Sequence, residues 1–202
     1  MKLVSGTVST RQRLVNAASE LFLRDGIHAT GIAAIAEQAG VSKMTLYAHF
    51  ASKEELIVAY LDQRDASWNQ AVSASLDPLE NAADKMLNLF DLYRDWLQKG
   101  GLRGCAYVNC AAEFPDRTHP VRLAVSRHKQ GVRMLLGLLA QAAGLHDPGT
   151  VAERLFLLLE GTFLTGALEN DDRVFGVARA LAAELIANAR QAAQKAGERQ
   201  CV

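Results

Sequence analysis

Between Lys43 and His49 the chain gathers an ammonium, a thioether, a hydroxyl, a phenol and an imidazole, on Lys43, Met44, Thr45, Tyr47 and His49. These groups suit contact with a polyanion whose edges carry a pattern. A lysine donates to guanine O6 or N7, whereas a methionine can only pack on a thymine methyl. Thr45, Tyr47, His49 and the nearby Lys53 suit phosphate oxygens, which set register rather than sequence. Around Thr30 the start of a helix offers backbone N–H groups to a further phosphate. The plainer alternative for Tyr47 and His49 is a solvated surface.

Two short helices are needed to present these groups. Ile32, Ile35, Ala36 and Ala39 recur at helical spacing and give the first one buried face. Gly40 stands where the chain must turn sharply, because a residue without Cβ reaches positive φ at no steric cost. Val41 plugs the corner, Ser42 is a natural N-cap, and Leu46 and Phe50 anchor the second helix inward. This is the layout of a helix-turn-helix whose second helix opens toward a DNA groove.

The motif resembles that of the TetR family of bacterial transcriptional regulators. The residues that carry the resemblance are Ile35-Ala36, Ala39-Gly40-Val41-Ser42, Thr45-Leu46-Tyr47, His49-Phe50, Lys53 and Leu56. It covers about the first quarter of the chain, and the rest is similar only in length and helical character. A looser likeness runs from Gly104 to Arg122, similar to a segment found in one group of such regulators. Met44 replaces a frequent Gly or Pro, Ala48 a larger residue, and Gly31 a Ser or Thr. Ala33 also lacks the arginine of some members, so sequence choice is expected to lean on Lys43 and on DNA shape.

Composition agrees with a helical protein. The 202 residues are 50% hydrophobic and contain only 4 prolines, enough apolar content for a real core. The net charge is zero, so no global field draws the chain to nucleic acid. Residues 1–50, however, carry five basic residues (Lys2, Arg11, Arg13, Arg24, Lys43) against three acidic ones. No apolar leader opens the chain and no run of about eighteen apolar residues occurs, which reads as cytoplasmic with no membrane partner.

Ahead of the motif, Thr10 is expected to cap a helix that ends at Gly26, with Leu14, Ala17, Ala18, Leu21 and Phe22 as its stripe. Behind it, Ser52 and Glu55 form a capping box for a helix over 53–73. Leu56, Tyr60, Leu61 and Trp68 point inward from that helix, which connects a DNA-binding domain (1–52) to an effector-binding and dimerisation domain (53–202). The larger part reads as a helix between Pro78 and Gly100-Gly101, a short one from about Arg103 to Glu113, and one from Pro120 to about Ala143. Two more follow, one from Pro148 and one over about Val174 to Lys195.

Leu89, Tyr93 and Trp96 line one face of the Pro78–Gly100 helix, either as core or as part of a cavity. The resemblance implies that small molecules bind among such helices. Asn109, Glu113, His128 and Phe163 are the further candidates for facing a ligand, the polar ones with satisfied or exposed positions as their alternative. The last two helices carry small residues and apolar stripes. Leu155, Leu159, Thr162 and Gly166 on one, with Val177, Leu181 and Leu185 on the other, are expected to form a four-helix homodimer interface, which the resemblance also implies. Glu160 interrupts the apolar run as a surface residue, an interface ion pair or a cationic-ligand contact.

Cys105, Cys110 and Cys201 are too few for a disulfide framework. On one helix Cys105 and Cys110 would point about 140° apart, too divergent to bridge. The five histidines show no metal-ligand spacing, and no nucleophile motif or phosphate loop occurs, so neither cofactor, metal nor enzymatic activity is expected. The expectation is an all-α dimeric repressor that binds a palindromic operator and is released by a small apolar or aromatic effector. A thiol-responsive regulator is the alternative, and a small helical enzyme the more distant one.

Overall fold

The computed structural model describes residues 8–100 and 104–200, and the described residues form nine α-helices and no strand. They are α1 (Thr10–Asp25), α2 (Ile32–Gln38), α3 (Lys43–His49), α4 (Lys53–Leu76), α5 (Ala82–Gly100), α6 (Ala106–Glu113), α7 (Pro120–Ala142), α8 (Pro148–Glu169) and α9 (Arg173–Gln200). The all-α expectation holds. Two compact units result: the described residues through Ala66 with Ala106–Val125, and Ser67–Cys105 with the described residues from Ser126 onward. Cys201, Lys2, Gly101 and Arg103 lie outside the described residues.

In the first unit α1 starts one residue earlier than a Thr10 cap would allow. Ser9 has the extended backbone of a cap and its hydroxyl accepts the Gln12 N–H at 3.2 Å, so Thr10 is the first helical residue. Leu14, Val15, Ala17, Ala18, Leu21 and Phe22 are buried. Ile35 and Ala36 of α2, Leu46 of α3, and Leu56, Ile57, Tyr60 and Leu61 of α4 are buried as well, and α1 packs on both α2 and α3. Each buried Leu, Ile, Val or Phe side chain among them stabilises the fold by roughly 1.5–3 kcal/mol. The Phe22 and Tyr60 rings meet edge to face at 5.4 Å.

Ser52 caps α4 by accepting the Glu55 N–H at 3.2 Å, while the Glu55 carboxylate takes the Ala51 N–H at 2.7 Å. The reciprocal bond therefore lands one residue before the cap. The helix runs to Leu76, past the expected Ser73, and stops only where Pro78 disfavours helical backbone in its predecessor. In this unit α6 is shorter than anticipated, because Gly104 at φ 74° keeps the chain out of the helix until Ala106. Tyr107 of α6 donates its hydroxyl to the Leu61 carbonyl at 3.2 Å, and Arg122 of α7 donates to the Ala111 carbonyl at 2.8 Å.

The second unit is built on α5, α7, α8 and α9. Met86, Leu89 and Phe90 of α5, Leu136 and Ala140 of α7, Leu155 and Leu159 of α8, and Phe175 and Ala182 of α9 are its most completely buried residues. Asp147 caps α8 from the left-handed region, with Pro148 as the first helical residue. Asn170 ends it in the same region at φ 51°. Gly166 lets the helices close in, since a Cβ there would lie 2.9 Å from the Phe175 ring.

Candidate functional site

The turn between α2 and α3 is closed by bonds from three directions. The Gly40 N–H donates to Glu37 O and the Val41 N–H to Ala36 O, both at 2.9 Å, with Gly40 at φ 64°. This pair satisfies the last carbonyls of α2 and needs the left-handed residue that glycine supplies. Arg13 of α1 then donates to the carbonyls of Ala39 and Gly40. A Cβ on Gly40 would lie 3.1 Å from the Arg13 guanidinium, so the turn and its clamp fit only without one. Arg13 was invisible as a site residue in the sequence. No pattern links a lone arginine to carbonyls 26 residues away.

Ser42 caps α3 as anticipated, accepting the Thr45 N–H at 3.0 Å, and the two hydroxyls lie 2.9 Å apart. Leu46 and Phe50 are fully buried and hold α3 against the core. Lys43, Met44, Tyr47 and His49 are consequently exposed, Met44 at 81% and Tyr47 at 52%. Thr45 is half-buried. The structure brings these groups to one open helix.

Thr30 is placed differently. Its side chain is buried and its hydroxyl donates to the Gly26 carbonyl at 2.7 Å, closing the loop before α2. Gly31 stands at the cap of α2 and supplies no side-chain bond to that end. Only backbone N–H groups therefore remain for a phosphate there. Lys53 is half-buried and donates to the Ile27 carbonyl, bracing the same loop. Burial pushes its ammonium below the usual lysine range, partly offset by the charges of Glu113 and Glu54. Glu113 lies at the end of α6, 2.7 Å from the His28 imidazole. Glu113 belongs to the first unit, apart from the aromatic members of the expected effector group. Asn109, exposed on α6, belongs to the same unit.

In the second unit the remaining effector candidates do converge. Trp68 sits at the centre, with the Tyr93, Trp96 and His128 rings at 4.9, 5.4 and 6.3 Å, each near edge to face. Phe163 extends the cluster from Tyr93 at 5.5 Å. Leu89 is fully buried in the same core. Edge-to-face packing sets the positive edge of one ring against the negative face of the next, which holds these buried rings together as part of the core. Trp68 was legible as inward-facing but not as the hub. Beside the cluster, Lys129 and Glu160 form an ion pair at 2.6 Å, with 14% and 23% of the side chains exposed. Glu160 is thus neither a free surface charge nor an isolated one. The Lys129 ammonium also lies 3.6 Å from the Cys105 sulfur. Cys105 precedes α6 and only Cys110 is within it, so the two do not share a helix.

The expected dimer residues divide. Leu155, Leu159, Thr162 and Gly166 are buried in the core of their own chain, because that face of α8 packs on α5 and α9. Leu157, Leu164 and Leu168 are the exposed apolar residues of α8. Val177 and Leu181 of α9 are exposed at 64% and 49%, and Leu185 is half-buried. Between these helices runs a groove of about 620 Å³ whose floor includes Leu157, Gly161, Val174, Val177 and Leu181.

Residues 14–60 match the family described as "Bacterial regulatory proteins, tetR family", and residues 82–183 match "Tetracyclin repressor-like, C-terminal domain". The chain is 30% identical over 135 residues to the HTH-type transcriptional repressor NemR of Escherichia coli, covering 66% of each chain. It is 35% identical over 88 residues to the HTH-type transcriptional activator FasR of Mycolicibacterium smegmatis, over 44% of this chain and 40% of the relative. The matches thus span less than two thirds of these relatives' lengths. A solved TetR-family regulator from Streptomyces coelicolor superposes with a TM-score of 0.83 at 32% identity, covering 89% of this chain and 95% of the other.

Proposed function

This chain belongs to the tetR family of bacterial regulatory proteins, and from that premise we propose that it is a cytoplasmic repressor released from its operator by a small apolar or aromatic effector. The observation that carries the DNA reading is the open face of α3, where Lys43, Met44, Tyr47 and His49 are exposed while the helix is pinned by Leu46 and Phe50. Lys43 and Met44 read base edges; Thr45, Tyr47, His49 and Lys53 contact phosphates, and Ser42 orders the start of α3. On this reading residues 1–52 form the DNA-reading part and 53–202 the effector and dimerisation part. Relatives include a repressor and an activator by name, and the repressor is matched over the larger share of this chain, which supports repression.

The apolar groove of α8 and α9 supports a homodimer. Leu157, Gly161, Leu164 and Leu168 recur at helical spacing on one exposed stripe, and Val177 and Leu181 face solvent on the neighbouring helix. Two copies pairing by these faces would bury Leu157, Leu164, Leu168, Val177 and Leu181 together. They would present two α3 helices to a palindromic site. An effector entering the Trp68 cluster would favour a dimer with wrongly spaced α3 helices, and operator DNA must then weaken effector binding by the same factor.

Selection of genome fragments on the purified protein at moderate salt tests the reading. Enrichment of one palindromic sequence supports it; absence of binding even at low salt overturns it. With the selected site, Tyr47→Phe or Lys53→Ala weakens binding to all DNA, and Lys43→Ala also relaxes sequence preference. Both tryptophans of the chain lie in the cluster, so quenching of intrinsic fluorescence reports an effector directly. A second reading, a thiol-responsive regulator, rests on the Lys129 amine beside the Cys105 sulfur. Replacing Cys105 and Cys110 by serine leaves the response intact on the first reading and abolishes it on the second.

A further inference from the structure

We infer that Arg11, on the first turn of α1, is a phosphate-binding residue of the DNA interface, held ready by the ring that closes the recognition helix. The inference rests on the DNA-binding reading of α3. The Arg11 guanidinium carbon lies 4.8 Å from the centroid of the Phe50 ring. Phe50 is the residue that ends α3, and it is fully buried, with its extended backbone following directly on the exposed His49. A guanidinium stacked on an aromatic face is fixed in position while keeping its planar edge of N–H donors open. Arg11 is itself exposed, and among the described residues no carboxylate forms an ion pair with it. It is therefore a located cation without a local counter-charge.

The placement works against local stability. The first turn of α1 holds no acidic residue, and a cation there opposes the positive end of the helix dipole. A locally unfavourable charge held in a defined place is the pattern expected where a ligand supplies the missing anion. The dimensions agree. The seven residues of α3 span about 10 Å along the helix axis, against a major groove ~12 Å wide. With Lys43 at one end of α3, a cation at the other end falls at the groove's edge, where the phosphates run. Arg13, two residues on, is turned to the carbonyls of the α2–α3 turn instead. Two arginines of one helix thus take different duties, one clamping the turn and the other meeting the backbone.

The test uses the full chain and a mixed-sequence double-stranded DNA, with affinity read by fluorescence anisotropy over a range of salt. Arg11→Met keeps an apolar partner on Phe50 and removes the charge; Arg11→Lys keeps the charge and weakens the stack. Each phosphate contact contributes about 0.9 to the slope of log K against log salt, so Arg11→Met is expected to flatten the slope by about 1.8 for a dimer. Arg11→Lys is expected to retain the slope. An unchanged slope in Arg11→Met, or equal flattening in both variants, overturns the assignment and leaves Arg11 a packing residue. A parent protein with no salt-dependent binding would overturn the DNA reading itself, which the unsubstituted control separates from failure of the Arg11 assignment alone.

Discussion

Gly166→Ala isolates the close approach of α8 to its neighbours. Helix propensity alone favours the alanine by about 0.8–1.0 kcal/mol, since glycine loses more backbone freedom on folding. Packing opposes it. The added Cβ would lie 2.9 Å from Phe175 Cε2 and 3.3 Å from both Leu97 Cδ2 and Val174 Cγ2. Phe175 is 1% exposed and Leu97 is buried, so neither can swing into solvent. Forcing an extra carbon into such a core costs roughly 1–3 kcal/mol. The upper part of that range applies, because the closest neighbour is a ring edge boxed in by the core. The net expectation is a loss of about 1–2 kcal/mol. For a chain of this size that lowers Tm by roughly 2–8 °C. Gly131→Ala is the matched control. Gly131 lies inside α7, exposed, and a Cβ there meets nothing within 4 Å, so this variant should gain ~0.5–1 kcal/mol. Both would be melted by circular dichroism at one fixed protomer concentration, because the proposed dimerisation would make Tm concentration-dependent. A Gly166→Ala protein as stable as the parent would refute the argument. It would mean that α8 and α9 are free to separate.

Ser42→Ala removes the cap of α3 and should cost about 1 kcal/mol in a denaturant titration, with a further loss of affinity for the selected operator. Glu160→Gln strands the Lys129 ammonium and should destabilise the chain by roughly 1–3 kcal/mol, while replacing both partners by apolar residues recovers most of that loss in the same titration. Asp171 has its carboxyl held down to about 2, first by its side-chain bond to Arg173 and then by the Arg173 backbone N–H. A depressed carboxyl stabilises the fold fully above its unfolded pKa and loses that contribution as pH falls through the folded value. The window here runs from about 4 down to about 2. Carboxyl titration followed by NMR should show that low midpoint, and Arg173→Ala should return it toward the ordinary aspartate range.

Much of the candidate site was legible because its determinants are local. A cap speaks to residues three positions away, as Ser42 does to Thr45, and a left-handed turn announces itself in Gly40. Periodicity likewise located α3 and its anchors Leu46 and Phe50. Thr30 shows the opposite case. The start of its helix read as a source of backbone N–H groups for a phosphate, and nothing in the sequence showed that the Thr30 hydroxyl is committed four residues back to the Gly26 carbonyl. A side chain that can bond to its own backbone competes with any ligand, and sequence does not say which wins.

The amino-acid sequence alone determined the family, the all-helical class and the order of the elements, because caps, turns and helical period act over a few residues. Only the tertiary structure decided which groups meet across long separations. Arg13 closes on the α2–α3 turn, Arg11 on Phe50 and Lys53 on Ile27, each bridging 26 residues or more between elements. The same holds for α8, which is apolar nearly all round, so periodicity could not tell its inner face from its outer one. Packing against α5 and α9 turned Leu155 and Leu159 inward and left Leu157, Leu164 and Leu168 exposed. A helix face is chosen by the neighbours it finds, which the period of the helix itself does not name.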